Sequence, residues 1–293
     1  MFCDQCEQVY RGTGCTEIGV CGKNEDVESL QKILLYGLKG MAAYKHHARR
    51  LGQVDPEVDA FEEEALFATV TNVNFDMDSL FELVLECGRK NLRVMQMLND
   101  GHVARFGQPS PVTVYEGTQA GPGILVTGHD LVDLEDLLKQ TEGTGVNVYT
   151  HGEMLPAHMY PGLRKYKHLV GHYGGAWQKQ KKEFPAFGGA VLATTNCLLI
   201  PNGYKDRIFS TRVTAVPGGT RLSTNDFSPV IAKARELGEQ LRELHEPMMK
   251  LHRDYMQQFA AILTADQKAI LDEAREKFRE RREKRRDGPP ANP

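Results

Sequence analysis

The chain has 293 residues, 41% apolar and 26% charged, with a formal net charge of -3. This composition excludes fibrous, low-complexity and wholly disordered classes, and the charge predicts no nucleic-acid partner. No apolar run approaches the roughly 18–20 residues that span a bilayer, and the N-terminus lacks the basic start and apolar stretch of a secretory signal, so a cytoplasmic protein without a membrane anchor is expected.

Four of the six cysteines, Cys3, Cys6, Cys15 and Cys21, fall within the first 21 residues, between Gly12, Gly14, Gly19 and Gly22. A disulfide framework is not expected in a reducing compartment, so thiols at this density point to metal. A helix is predicted from Val27 to Leu51. A second starts at Asp55-Pro56-Glu57, with an N-cap Asp followed by Pro in the first turn, and runs to about Val70. A third is read from Asp78 to Leu98, where Cys87 lies on the apolar stripe and is assigned to the core. Together these form a cysteine-loop and three-helix-bundle domain over residues 1–108.

The texture changes at Gln108-Pro109-Ser110-Pro111, a linker signature. Short β-branched runs follow at Ile124–Thr127, Val146–Tyr149 and Ala190–Thr195, with a helix at Leu131–Gln140 between the first two. Alternating strand and helix predicts a parallel-sheet, Rossmann-like α/β domain over 109–225. From 226 to 287 the chain is charged and Cys-free. Leu237, Leu241, Leu244, Met248, Leu251, Tyr255, Phe259 and Ile262 recur at helical spacing, Pro247 starts or kinks a helix, and Thr264–Gln267 is a capping box. Residues 288–293 are expected to be a disordered end. The fold class is therefore α plus α/β with a charged helical tail.

The spacing C-x2-C-x8-C-x5-C contains one C-x2-C pair rather than the two knuckles of a zinc ribbon. That favours an iron–sulfur cluster, with structural zinc as the alternative that spacing leaves open. A second candidate set follows from strand-end logic. His129, Glu153 and Cys197 each come just after a predicted strand, and ligands of open α/β sheets bind beyond the carboxyl ends of the strands. Converging imidazole, carboxylate and thiolate would make a mixed site able to hold iron with open positions. Taken singly, each has a plainer reading: a capping His, a solvated Glu, a packed Cys. His151 and His158 lie nearby and are read as hydrogen-bonding support.

Several strings resemble the hybrid-cluster protein family, the prismane proteins or hydroxylamine reductases. They are Met1-Phe2-Cys3-Asp4-Gln5-Cys6-Glu7-Gln8, Gly14-Cys15-Thr16, Val20-Cys21-Gly22-Lys23, Thr71-Asn72-Val73-Asn74-Phe75-Asp76, Gly128-His129-Asp130, Tyr149-Thr150-His151-Gly152-Glu153-Met154-Leu155-Pro156-Ala157-His158 and Thr195-Asn196-Cys197. The likeness covers about residues 1–236. It implies that Cys3, Cys6, Cys15 and Cys21 hold a cubane [4Fe-4S] cluster. It also implies that His129, Glu153 and Cys197 match three ligands of an iron–sulfur–oxygen hybrid cluster, which accepts electrons from the cubane and reduces hydroxylamine or nitric oxide.

Two departures from the family pattern bear on that expectation. The helical region is short, as in a shorter branch of the family. No Cys follows Cys197, so the hybrid cluster is expected to be incomplete in this chain alone. The enzyme reading is an oxidoreductase reducing hydroxylamine to ammonia and water, fed by a redox donor protein. The other reading is a non-catalytic [4Fe-4S] electron-transfer or sensor protein with an incomplete second metal site. In either case the tail would serve homo-oligomerisation.

Overall fold

The computed structural model describes residues 1–286 except Thr71, Val213 and Thr224, and residues 281–286 by their backbone alone. The expected disordered end, 288–293, lies outside the described residues. The chain divides into two compact units, Met1–Gln108 and Pro109–Pro293, and the division falls in the Pro-containing segment.

In the first unit, three helices follow the cysteine loop: α1 (Glu25–Arg50), α2 (Pro56–Ala68) and α3 (Met77–Phe106). Each starts at a side-chain cap. Asn24 accepts from Val27 N at 2.9 Å, Asp55 from Glu57 N at 3.1 Å and Asp76 from Ser79 N at 2.9 Å. These caps satisfy amide donors that helix starts leave unpaired. Leu34, Leu38 and Met41 on α1 pack with Val58, Phe61 and Ala65 on α2 and with Cys87 and Val94 on α3. Each fully buried leucine contributes about 2 kcal/mol.

Helix α3 runs eight residues past the predicted end at Leu98. Gly101, inside the added turns, is a packing requirement. A Cβ at Gly101 would come within 2.8 Å of Leu51 Cβ, so only glycine lets the two segments approach.

In the second unit, six strands form one parallel sheet in the order β3-β2-β1-β4-β5-β6. They are β1 (Gly123–Thr127), β2 (Asn147–His151), β3 (Leu169–His172), β4 (Ala190–Ala193), β5 (Ile208–Thr211) and β6 (Thr220–Leu222). The doubly wound parallel architecture is the one that alternating strand and helix predicts. Strands β3, β5 and β6 were not visible in the sequence pattern. The central strands β1 and β4 are buried at every residue, and Leu125, Tyr149 and Val191 pack with Phe184, Phe187 and Tyr204.

Helix α4 (Leu131–Thr141) begins at Asp130, whose carboxylate accepts from Val132 N and Asp133 N, both at 3.0 Å. Two short helices, α5 (Pro161–Arg164) and α6 (Gln180–Ala186), lie in the connections to β3 and β4. Helix α7 (Ser228–Ile262) lays Val230, Ile231 and Ala234 onto β1 and β4. Its first turns thus belong to the α/β layer, which a boundary at residue 225 would sever. Beyond them the apolar stripe is exposed.

Pro247 is accommodated inside α7. It removes one amide donor, and the carbonyl this frees lies on an exposed stretch where water can take it. Helix α8 (Ala265–Arg286) opens with the expected capping box: Thr264 N donates to the Gln267 side chain at 3.0 Å, and Gln267 N donates to Thr264 Oγ1 at 3.4 Å. No helix among the described residues is long and apolar enough to cross a membrane.

Candidate functional site

In this sheet the chain runs outward from β1 through β2 to β3 on one side, then crosses back to β4 on the other side of β1. The crevice at such a reversal, beyond the carboxyl ends of the strands, is where open α/β folds bind ligands. Three loops meet there. After Thr127 the backbone turns at Gly128 with φ +112°. A Cβ at that position would run into the Thr194 hydroxyl and lie 2.6 Å from Thr195 Oγ1 and 2.8 Å from Thr195 N. The turn leaves His129 at the tip, because Asp130 is already committed to capping α4. After β2, Glu153 lies in the first turn of a 3-10 segment, Gly152–Met159. After β4, Cys197 itself adopts a left-handed conformation with φ +64°.

The structure brings His129, Glu153 and Cys197 together. One ligand atom from each lies within 4.8 Å of the other two, and no other such group of three occurs among the described residues. His129 Nε2 touches the Glu153 carboxylate directly, and its Nδ1 is 2.7 Å from Thr195 Oγ1. Burial, reinforced by the Glu153 carboxylate, pushes the Cys197 thiol up from its ordinary value. A cation between these groups would reverse that balance.

Sequence reasoning missed the residues that hold these side chains. Thr194 ties the ends of β1 and β4 together: its amide and hydroxyl both donate to Thr127 O, at 3.0 and 3.1 Å. Gln180 is fully enclosed. Its amide donates to Cys197 O at 2.6 Å, while its carbonyl oxygen accepts from Leu199 N at 3.2 Å. A lone Gln at a helix start carries no signal in the sequence.

Behind the trio lies a set of buried histidines. His151 Nε2 is 2.8 Å from Glu183, and Thr150 Oγ1 is 2.9 Å from both His158 Nε2 and His172 Nδ1. Burial lowers all three imidazoles; that of His158 falls to about 4 through burial and the neighbouring His172. Trp177 is partly exposed in the segment after β3.

The four N-terminal cysteines sit in the first unit. Cys3 and Cys15 are buried and pair as an antiparallel bridge, Cys3 N to Cys15 O at 3.0 Å and Cys15 N to Cys3 O at 2.9 Å. Tyr10 N donates to Cys15 Sγ at 3.5 Å. All four cysteines line one cavity of about 380 Å³, with Gly19, Val20 and Asn72. No three of their sulfurs come within 4.8 Å of one another. Cys87 is remote from this loop in sequence and packs in the helical core.

The sequence profile of the Prismane/CO dehydrogenase family matches residues 1–82 and 76–270. A hydroxylamine reductase of Moorella thermoacetica is 61% identical over 238 residues, covering 81% of this chain and 56% of that protein. That of Thermotoga petrophila is 55% identical over 238 residues, covering 81% and 55%. The chain thus spans little more than half the length of these relatives. Among solved structures, carbon monoxide dehydrogenase IV from Carboxydothermus hydrogenoformans aligns with a TM-score of 0.60 at 16% identity, over 82% of this chain and 54% of that one. A chain of a solved acetyl-CoA synthase/carbon monoxide dehydrogenase structure aligns with a TM-score of 0.63 at 13% identity, over 83% and 52%. At these identities the likeness is one of fold.

Proposed function

The chain belongs to the Prismane/CO dehydrogenase family, and on that premise we propose that it is an iron–sulfur oxidoreductase of the hybrid-cluster type that reduces hydroxylamine. The observation that carries this reading is the convergence of His129, Glu153 and Cys197 at the sheet's switch point. Imidazole nitrogen, carboxylate oxygen and thiolate sulfur form a mixed donor set that suits iron and leaves coordination positions open. His129 and Glu153 serve as ligands, and Cys197 supplies the thiolate. Iron held there would relay electrons from the donor protein and offer a binding position for hydroxylamine. The overall reaction takes two electrons and two protons, breaks the N–O bond, and gives ammonia and water. Nitric oxide is the second substrate compatible with the same site.

Cys3, Cys6, Cys15 and Cys21 fit an iron–sulfur group better than a single zinc ion. A single zinc ion needs four sulfurs at about 2.3 Å from one point, and the four cysteines line a cavity of about 380 Å³, room for a larger group. A [4Fe-4S] cluster in that loop would receive electrons from a donor protein. The other reading, an electron carrier or sensor with an incomplete second centre, is favoured by one observation: the described residues gather only three ligands at the switch point.

Anaerobic purification with iron and sulfide counts, followed by hydroxylamine-dependent oxidation of a reduced viologen, separates the two. More than about four irons per chain, together with hydroxylamine turnover, supports the reductase. About four irons and no turnover leave the carrier.

A further inference from the structure

The cysteine loop rests on an enclosed charge. Lys23 stands two residues after Cys21, and its side chain is 0% exposed. An ammonium removed from water is costly unless its donors are matched. Lys23 Nζ donates to Gln31 Oε1 at 3.0 Å and pairs with Glu28, and its charge acts electrostatically on the Cys3 thiol. Its own carbonyl accepts from Gly19 N at 2.8 Å, which closes the turn that carries Cys21.

The partners are themselves held. Glu28 is buried and pairs also with Lys32 at 3.0 Å, and the Lys32 ammonium reaches the Phe2 carbonyl. The Gln31 amide donates to Asn74 O at 3.1 Å and Ala68 O at 3.4 Å. One polar network therefore runs from Phe2 to the connection between α2 and α3. With two lysines and one carboxylate, it carries a net positive charge beside the sulfurs.

We infer that Lys23 sets the redox behaviour of the metal group held by Cys3, Cys6, Cys15 and Cys21: its ammonium, enclosed beside the cysteine loop and held by Glu28 and Gln31, stabilises the reduced form. Adding an electron makes such a group more negative, and a cation in a poorly solvated position favours the more negative state. Hydrogen bonds to cluster sulfurs act in the same direction. Lys23 is a positioning residue here and touches no substrate. The inference rests on the iron–sulfur reading of the loop.

The test is a potentiometric titration of the full-length protein, purified anaerobically and followed by electron paramagnetic resonance. Lys23→Met keeps the length of the side chain and removes the charge. The expected result is an unchanged iron and sulfide content with a midpoint potential shifted to more negative values. Lys32→Met, whose ammonium is partly in solvent, should shift it less.

If Lys23→Met fails to hold its cluster, Glu28→Gln supplies the answer. It keeps Lys23 and its packing but removes the counter-charge, so the potential should move to more positive values. A loaded Lys23→Met protein with the wild-type potential overturns the inference, as does a loaded Glu28→Gln protein whose potential is unmoved or falls. A wild-type protein without an iron–sulfur chromophore overturns the cluster reading itself, which distinguishes the two failures.

Discussion

The His129 imidazole and the Glu153 carboxylate touch although 24 residues separate them. The cause is register. Strands β1 and β2 pair so that Thr127 faces His151, and each functional side chain stands two residues beyond its strand end. Equal offsets from paired ends deliver neighbouring side chains. Cys197 has a longer path: Ala193 also faces Thr127, and four residues with a left-handed turn bring the sulfur back. Replacing His129 by Ala, or Cys197 by Ser, should therefore remove iron assigned to this site while the N-terminal chromophore persists. Turnover of hydroxylamine should fall on the order of 100-fold or more, at least matching the losses seen when the supporting shell of a metal is removed. Iron counts with paramagnetic resonance check this, and loss of both sets of signals together would refute separate sites.

Gly128→Ala probes the turn beneath His129. The new methyl group would collide with Thr194 and Thr195 in a backbone conformation that L-residues avoid. A cost of roughly 1–3 kcal/mol is expected. Gly143→Ala is the control: it shares a positive φ of +70° but would meet nothing within 4 Å. It should cost about 1 kcal/mol. Chemical denaturation of both variants measures the difference, and equal costs would show that the close approach at Gly128 does not matter.

Cys15→Ser should abolish the N-terminal chromophore and loosen the loop. Cys15 is buried, pairs with Cys3 through two backbone bonds and accepts from Tyr10 N, so loss of ligation removes both a metal bond and the order around it. Faster proteolysis within the first 24 residues, with α1 to α3 retained, is the expected pattern. A variant that keeps its full iron content would remove Cys15 from the ligand set.

Much of this was legible in the sequence, for reasons that differ by element. The caps at Asp55 and Thr264 act locally, so their residue types announce them. The central strands are buried on both faces and read as continuous apolar runs. Edge strand β6 exposes two of its three residues, and β3 includes Gly171, which the Tyr115 backbone approaches too closely for a side chain. Neither has an apolar run to notice. Thr194, Gln180 and Lys23 matter through partners distant in sequence, which no local pattern encodes.

The buried histidines predict an acid weakness in the second unit. His151, His158 and His172 all have imidazoles lowered by burial, His158 to about 4. Unfolding exposes them near their ordinary value of 6.5, so the unfolded chain takes up protons that the folded one refuses. Their contribution is complete above about pH 6.5 and is lost as pH falls below it; for His158 the loss continues down to about 4, at up to roughly 1.4 kcal/mol per pH unit. Urea midpoints between pH 4 and 7.5 should show this slope, and His158→Gln should flatten it. An unchanged slope in that variant would mean that His158 is protonated, or solvated, in the folded protein.

The tail sets the last prediction, and the structure decides where to cut. Phe227, Val230 and Ala234 are fully buried and cover β1 and β4, so deletion from residue 227 would unfold the second unit and prove nothing. Near Gly238 the helix still packs on Pro122. Farther on, Leu244, Met248, Leu251, Tyr255 and Ile262 are each more than 60% exposed on one helical stripe. Contiguous apolar surface of that kind drives association or aggregation. Deleting residues 243–293 removes the exposed stripe and keeps every buried residue of α7. The deletion should leave iron content, both sets of spectroscopic signals and the denaturation midpoint of the second unit near wild type, while sedimentation velocity shows a smaller species. A wild-type protein that already sediments as a monomer, with no change beyond the lost mass, would show that the stripe is not an association surface. Loss of the signals assigned to His129, Glu153 and Cys197 on the same deletion would instead place the tail in the metal site.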